Sequence, residues 1–518
     1  MCIVCRWQWN RSGEWRVESV VQIADAVAAG RVKAAAVLDE HRARYRETAK
    51  RLNALVQPRH ALAGAEALQL DSMPSDSKTG QLLAGVPISI KECFPVSGLL
   101  TTLGIAQRHS GSNPDAIDRE DAWLVTRLKK AGAIVVGKAN VPQAMFLHET
   151  VNPVWGRTLH PLAVDRGPGG SSGGDAALVA AGVVPLAVGN DLAGSIRQPA
   201  HACGIVGIVP RTATLGDGGA FQIMHQLEVV WPRAGFLARH VDDLARALAA
   251  VGAIGCEAAG AAIENQPSHL RIAFWLDSGP LEPSAAVQRA VLEAVACLEH
   301  AGARATRLDG ALAHAAAWTH LGILSADGGA DVRKLFAGSR PIPPVARLLR
   351  LASLPQSMRP LLAETVKFFG RRIEAESLRA TGPRRGAALK LLFQMRQEIA
   401  TQFVELASHY DAIICPVSAL PALLHGTASR LVVAAAPCWL ANLLDLAAGS
   451  VPVTHVGSEE EHGRAFSWDP VVRAARQTDR GSCGLPIGVQ VVGLETEPGR
   501  GEATVLNVMR IIERGRKN

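Results

Sequence analysis

The chain has 518 residues, enough for two or three average domains or for one large α/β unit. Hydrophobic residues make up 48% and charged residues 19%, which suits a globular protein with a large core, and the formal net charge of +7 is modest at this length. Arginines are scattered through helical segments without an aromatic-interleaved basic stripe, so nucleic-acid binding is not expected.

Nine cysteines, odd in number and widely spaced, make no disulfide framework and fit a reducing, cytoplasmic compartment. Cys2 and Cys5 form a C-x-x-C, but no second pair completes a zinc site, and a chance pair is the expectation. Arg6, Trp7, Trp9 and Arg11 leave no continuous apolar region for a signal peptide. No uninterrupted apolar run reaches the roughly 18–20 residues of a spanning helix.

In chain order, residues 17–63 read as helical, punctuated by Gly30, and 70–80 as a polar surface loop. Residues 82–90 (LLAGVPISI) read as a buried strand in their apolar second half, ending at Lys91 and Glu92. An amphipathic helix over 123–131 precedes a buried strand at 133–137. A small-residue helix is expected over 176–184 and a strand at 185–188. Further strands are expected at 204–209, 270–275, 303–308, 411–416 and 488–493, and helices at 241–251, 283–301 and 504–514. Helix followed by apolar strand recurs, which points to an α/β layer architecture.

Residues 341–372 differ in character. They carry Arg347, Arg350, Arg359, Lys367, Arg371 and Arg372 against the single acid Glu364, with leucines, Phe368 and Phe369 between, and Pro355 and Pro360 breaking the segment into short helices. A surface helix pair covering the core is one reading. The other is an interfacial element, with its apolar face in lipid or over a greasy substrate entrance.

The most informative stretch is 167–197, GPGGSSGGDAALVAAGVVPLAVGNDLAGSIR, in which two serine-bearing glycine turns enclose an apolar run. The layout would return Ser171, Ser172 and Ser195 to one place. Two glycine turns around a core helix are the plainer reading of GGSSGG alone. The run lacks the ending of a P-loop, does not fit G-x-G-x-x-G after a strand, and contains no G-x-S-x-G elbow. A serine hydroxyl needs a base. None of the sixteen histidines stands in an obvious relation to the turns, and His160 and His201 read as easily as loop or surface residues. Lys91, at the end of a buried strand, must be paired or be neutral through desolvation, and a neutral amine beside serines is a competent base.

Strand-Lys (GVPISIKE), PGGSSGG and GNDLAGSIR together resemble the amidase signature family of Ser-Ser-Lys hydrolases. The resemblance extends through NVPQAM at 140–145, NPVWGRT at 152–158, CGIVGIVPR at 203–211 and GLPIGVQVVG at 484–493. IKECF at 90–94, SADGG at 325–329 and LDLAAGSVPVT at 444–454 are more similar to the fatty acid amide hydrolase branch.

The resemblance implies a single large α/β/α domain over 17–518, with a central mixed sheet covered by helices, after an N-terminal extension of 1–16. It implies Lys91 as base, Ser171 as bridging serine in a cis peptide, and Ser195 as nucleophile. Backbone N–H groups of Leu192, Ala193, Gly194 and Ser195 would form the oxyanion hole. Ser172 would hold the network, Asp191 and Arg197 would brace the loop, and Met145 and Phe146 would lie near the acyl wall. No cofactor or metal is implied. The substrate would be a small-molecule amide, with peripheral membrane contact and a homodimer left open.

Two departures stand out. Asn190 replaces the usual Thr or Ser, and Ala193 replaces a glycine. An alanine forced to φ > 0 would be strained by about 1–3 kcal/mol, so weakened or shifted turnover is expected at that point. The leading reading is a hydrolase of a hydrophobic or fatty acid amide. An arylamide or short-chain aliphatic amidase, an amidotransferase subunit, or a weakened homologue that only binds amides remain as alternatives.

Overall fold

The computed structural model describes residues 19–78, 80–109, 117–224, 229–255, 267–277 and 279–516. The expected extension at 1–16, with Cys2 and Cys5, lies outside the described residues. The strands are β1 (Leu55–Pro58), β2 (Pro87–Lys91), β3 (Ile134–Ala139), β4 (Val151–Asn152), β5 (Gly156–Arg157), β6 (Leu186–Asp191) and β7 (Val206–Val209). They continue with β8 (Arg233–Ala238), β9 (Arg271–Phe274), β10 (Arg304–Arg307), β11 (Ala412–Pro416), β12 (Ala448–His455) and β13 (Pro486–Gly493). All except the small β4–β5 hairpin join one 11-stranded sheet in the order β1-β3-β2-β6-β8-β7-β12-β13-β11-β9-β10.

The sheet is mixed, as expected. β2 runs parallel to β3 and β6, and β9 runs parallel to β10 and β11, while the middle strands pair antiparallel. Every residue of β2, β6 and β13 is buried. That is why these strands read as near-continuous apolar runs instead of alternating ones. The helix Gly173–Ala180 packs on β2, β6 and β8, and the helix Arg197–Cys203 packs on β7, β12 and β13. Gly204, in a left-handed conformation at φ 70°, ends the second helix and turns the chain into β7.

The structure corrects the predicted layout in several places. β1 lies inside the segment read as wholly helical, and the helix His60–Ser72 runs into the predicted 70–80 loop, followed by a turn of helix at Ser75–Lys78. β8 and β12 were not predicted. β12 contains Gly449 and Pro452, residue types that disfavour a strand interior. The register slips between Pro452 and Thr454, so the strand absorbs its proline at an irregularity. In the arginine-rich segment, Pro360 stands in the first turn of the helix Arg359–Phe368 and does not interrupt it. The segment forms the helices Pro343–Ala352 and Arg359–Phe368, and a third helix, Arg372–Ala380, packs against the second.

Candidate active site

β2 and β6 are neighbours and parallel, with Ile90 opposite Val188, so both strands end at the same edge of the sheet. Crevices beyond the carboxyl ends of parallel strands are the usual binding places of α/β proteins. Lys91 closes β2 there, and Asp191 closes β6. The two glycine turns meet at this edge. The Ser172 N–H donates to the Ser195 carbonyl at 3.1 Å, joining the first turn to the second. The Gly170–Ser171 peptide is cis. Gly174 has no room for a side chain, since a Cβ would lie 2.5 Å from the backbone N and O of Asn140. Glycine in a first helical turn costs up to about 1 kcal/mol against alanine, and here close packing requires it.

Lys91 is fully buried. Its Nζ lies 2.7 Å from Ser171 Oγ, 2.6 Å from Asn190 Oδ1 and 3.2 Å from the Asn190 carbonyl. Burial lowers its pKa, opposed by the charges of Cys93, Asp175 and Asp191. A neutral amine has two N–H donors and one lone pair. In its neutral form, donors on the two oxygens of Asn190 would leave the lone pair for the Ser171 hydroxyl. Asn190, the residue at which the sequence departs from the expected Thr or Ser, thus supplies two of the three contacts of the amine.

A second buried pair lies beside it. Ser89, two residues before Lys91 on the same face of β2, donates to Asp175 Oδ1 at 2.8 Å. Burial pushes the Asp175 carboxyl up to about 7, opposed by the Ser89 hydrogen bond and by Lys91. Asp175 Oδ2 and Ser172 Oγ are buried with no hydrogen-bond partner among the described residues.

Asp191 and Arg197 form a fully buried, two-pronged ion pair, at 2.9 Å from Nη2 to Oδ1 and 3.1 Å from Nε to Oδ2. Burial alone would raise the Asp191 pKa, but the guanidinium holds it well below the carboxylate range. Arg197 also donates to the Cys438 carbonyl, Gln490 Oε1 and Asn442 Oδ1 at 2.5–2.9 Å. The carboxylate of Asp191 accepts the N–H of Gly194 at 2.8 Å and of Ile196 at 3.0 Å. This pair is the frame of the loop that carries Ser195.

That frame changes two expectations. The Gly194 N–H is committed to Asp191, and among the described residues the N–H groups of Leu192, Ala193 and Ser195 have no hydrogen-bond partner. Ala193 does not take a left-handed φ, and the turn falls on Gly194 at φ 96°. The expected strain at Ala193 is absent. Its carbonyl instead accepts the Trp439 indole N–H at 3.2 Å.

Ser171, Asn190, Leu192, Ala193 and Ser195 line one cavity of about 510 Å³, together with Met145, Phe146 and His148. The wall continues through Met224, Leu321 and Leu324 to Leu348, Leu351, Leu362, Val366 and Ile373 of the three helices at 343–380. This segment roofs the cavity. Its outer side exposes Phe368 at 86%, Leu361 at 74% and Phe369 at 66%, and Phe466 and Trp468 are also exposed. Among the described residues no helix is long and apolar enough to cross a membrane, and no group of His, Cys, Asp or Glu could hold a metal.

His148 was missed from sequence, because nothing in its spacing ties it to either serine turn. Burial pushes its imidazole down to about 4, opposed by the Asp191 carboxylate and the Ala193 carbonyl. His160 and His201, which flank the serine stretch, are structural. Each is buried and bonded to backbone carbonyls, His160 to Ala202 and His201 to Leu420 and Gly488.

A buried lysine on a serine, two serine turns in one cavity and unpaired loop amides are an arrangement suited to acyl transfer. Comparison with known proteins agrees. The Amidase family model matches residues 36–499, and the chain belongs to the amidase family. Fatty-acid amide hydrolase 1 of Sus scrofa is 31% identical over 515 residues, covering 95% of this chain and 85% of that protein. Fatty acid amide hydrolase 1 of Caenorhabditis elegans is 30% identical over 457 residues, covering 83% and 76%. Among solved structures, a fatty acid amide hydrolase superposes with a TM-score of 0.77 at 21% identity, over 96% of this chain and 84% of that one. The protein is a hydrolase of amide C–N bonds, with the amidase signature fold.

Proposed function

We propose that this hydrolase cleaves long-chain, apolar carboxamides through an acyl-enzyme on Ser195. The observation that carries the reading is the greasy cavity of about 510 Å³ onto which Ser171 and Ser195 both open. Neutral Lys91 takes the proton of Ser171, and Ser171 takes that of Ser195. The Ser195 oxygen attacks the amide carbonyl. The free N–H groups of Leu192, Ala193 and Ser195 receive the developing oxyanion, each strong donor being worth roughly 3–4 kcal/mol in comparable sites. The proton returns through Ser171 to the leaving nitrogen, which would otherwise leave badly as an anion. Water, activated by the same relay, then hydrolyses the ester. Met145 and Phe146 form the acyl wall. Ser172 supports the junction of the two turns, and Asp191 with Arg197 braces the donor loop.

The helices at 343–380 act as an entrance cap, and their exposed Leu361, Phe368 and Phe369 rest on a lipid surface from which an apolar amide enters. The deciding experiment pairs a fluorophosphonate probe with three substrates, oleamide, a short aliphatic amide and an anilide. The expected result is a Ser195 adduct that requires Lys91, with kcat/KM rising with chain length. No adduct on folded protein would refute the nucleophile. Equal turnover of all three amides would refute the substrate class.

A further inference from the structure

The cavity wall that carries the serines also carries charge. Arg347, Arg371 and Glu374 line it from the cap, and the exposed Arg430 also lines it. His148 is neutral at physiological pH. Among the described lining residues, three guanidinium groups therefore face one carboxylate. Glu374 cannot balance them, because it is already paired with Arg371, and Arg347 Nη2 stands 3.9 Å from its other oxygen. Arg371 Nε is buried and donates to nothing among the described residues. A buried donor left unmade costs on the order of 1–3 kcal/mol. The guanidinium groups themselves are partly exposed, 42% for Arg347 and 39% for Arg371, so their excess positive charge draws an anion through a solvent-screened field.

None of these groups bonds to Lys91, Ser171, Asn190 or the 191–195 loop. Leucines from the loop, from the helix Ala311–Leu324 and from the cap line the same cavity. The arginines stand on the cap helices and at 430, not on the elements that carry Lys91, Ser171 and Ser195, so an anion held by them is contacted by a different part of the cavity from the scissile bond.

From this charge imbalance we infer a distal anion subsite that selects amides carrying a carboxylate at the far end of the acyl chain, such as the half-amide of a long-chain dicarboxylic acid. The planar guanidinium of Arg371 or Arg347 matches a carboxylate in a way that a lysine would not. The inference rests on the proposed acyl-chain reading of the cavity and adds the chemistry of its far end.

The test compares dodecanamide, 12-hydroxydodecanamide and the half-amide of dodecanedioic acid. It uses the full chain and the variants Arg347→Gln and Arg371→Gln. The readout is the ratio of kcat/KM for the half-amide to that for dodecanamide within each protein. The expected ratio is at least about tenfold in the native protein, carried by KM, and falls to within about threefold in either variant. The hydroxyl compound should show no such preference. Arg347→Gln guards against a folding defect in Arg371→Gln, since Arg347 stands 3.9 Å from Glu374 whereas Arg371 is closely paired with it. A ratio near one in the native protein, or a high ratio unchanged in both variants, overturns the subsite. So does a flat ratio accompanied by weaker pelleting of the variants with anionic vesicles, which would assign the arginines to lipid headgroups. Turnover of dodecanamide with a flat ratio leaves the amidase reading standing. If no amide is turned over, calorimetric affinities of the same amides for Ser195→Ala report on the subsite without chemistry. Equal affinities there overturn it as well.

Discussion

Lys91 and Asn190 are joined twice, once through the side-chain oxygen of Asn190 at 2.6 Å and once through its backbone carbonyl at 3.2 Å. Only the first contact can be removed by mutation. Asn190→Ala should leave the amine free to rotate and lower kcat/KM for an amide by about 10–100-fold, the scale of a lost hydrogen bond to an ionisable group. Asn190→Thr, which keeps an oxygen, should recover most of it. Steady-state kinetics decide, and an alanine variant with native turnover would show that Asn190 does not orient the base.

The base acts when neutral, so kcat/KM should rise with pH through the pKa of Lys91, below the ordinary lysine range, and then level off. The Asp175 carboxylate favours the ammonium form. Asp175→Asn should therefore lower the Lys91 pKa further and move the rising limb to lower pH. A pH–rate profile measures this directly. A limb that moves upward would contradict the assignment of Lys91 as the titrating group.

At the donor loop the sensitive position is Gly194. Its left-handed φ, and a Cβ that would come within 3.0 Å of Cys438, make Gly194→Ala costly. With about 1–3 kcal/mol of strain, kcat should drop roughly 5–150-fold. Ala193→Gly should change kcat less than about threefold, because Ala193 is not strained. The opposite ranking of the two variants would return the weak point to Ala193.

Arg197→Met would leave Asp191 buried without its counter-ion. Breaking such a pair costs about 3–5 kcal/mol, and a urea melt should show the midpoint falling accordingly. Equal midpoints for variant and native protein would mean that the surrounding Asn442 and backbone N–H donors suffice for Asp191.

If the cap rests on lipid, replacing both Phe368 and Phe369 with serine should reduce co-sedimentation with liposomes while leaving the melting temperature nearly unchanged. Both rings are mostly exposed and bury little on folding. Equal pelleting of both forms would count against membrane contact.

How much of this was legible beforehand follows from the range of each interaction. β2, β6 and the helix after Ser172 were readable because burial on all sides leaves continuous apolar runs, and the serine turns because glycine clusters mark them. β12 was hidden by Gly449 and Pro452, whose local preference is overridden by two neighbouring strands. His148 and the pairing of Ser89 with Asp175 depend on contacts across the sheet edge that no spacing encodes. Ser89 alone offered a signal, since it stands two residues from Lys91 on one strand face. Ala193 was misjudged because a family glycine suggested a left-handed φ that the chain assigns to the next residue.

The side chains given the proton relay all lie within the first 195 residues, yet Arg197 is held by Cys438, Asn442 and Gln490. During synthesis the nucleophile is thus made long before the C-terminal partners that hold its brace. Three of the partners that hold Arg197 are supplied only when the last quarter of the chain joins the sheet, while Asp191 and the Gly194 and Ile196 N–H groups lie beside it in sequence. Ribosome-stalled chains ending near residue 430 should fail to take up a fluorophosphonate that the released protein accepts, and labelling at that length would show that the loop forms without its C-terminal anchors.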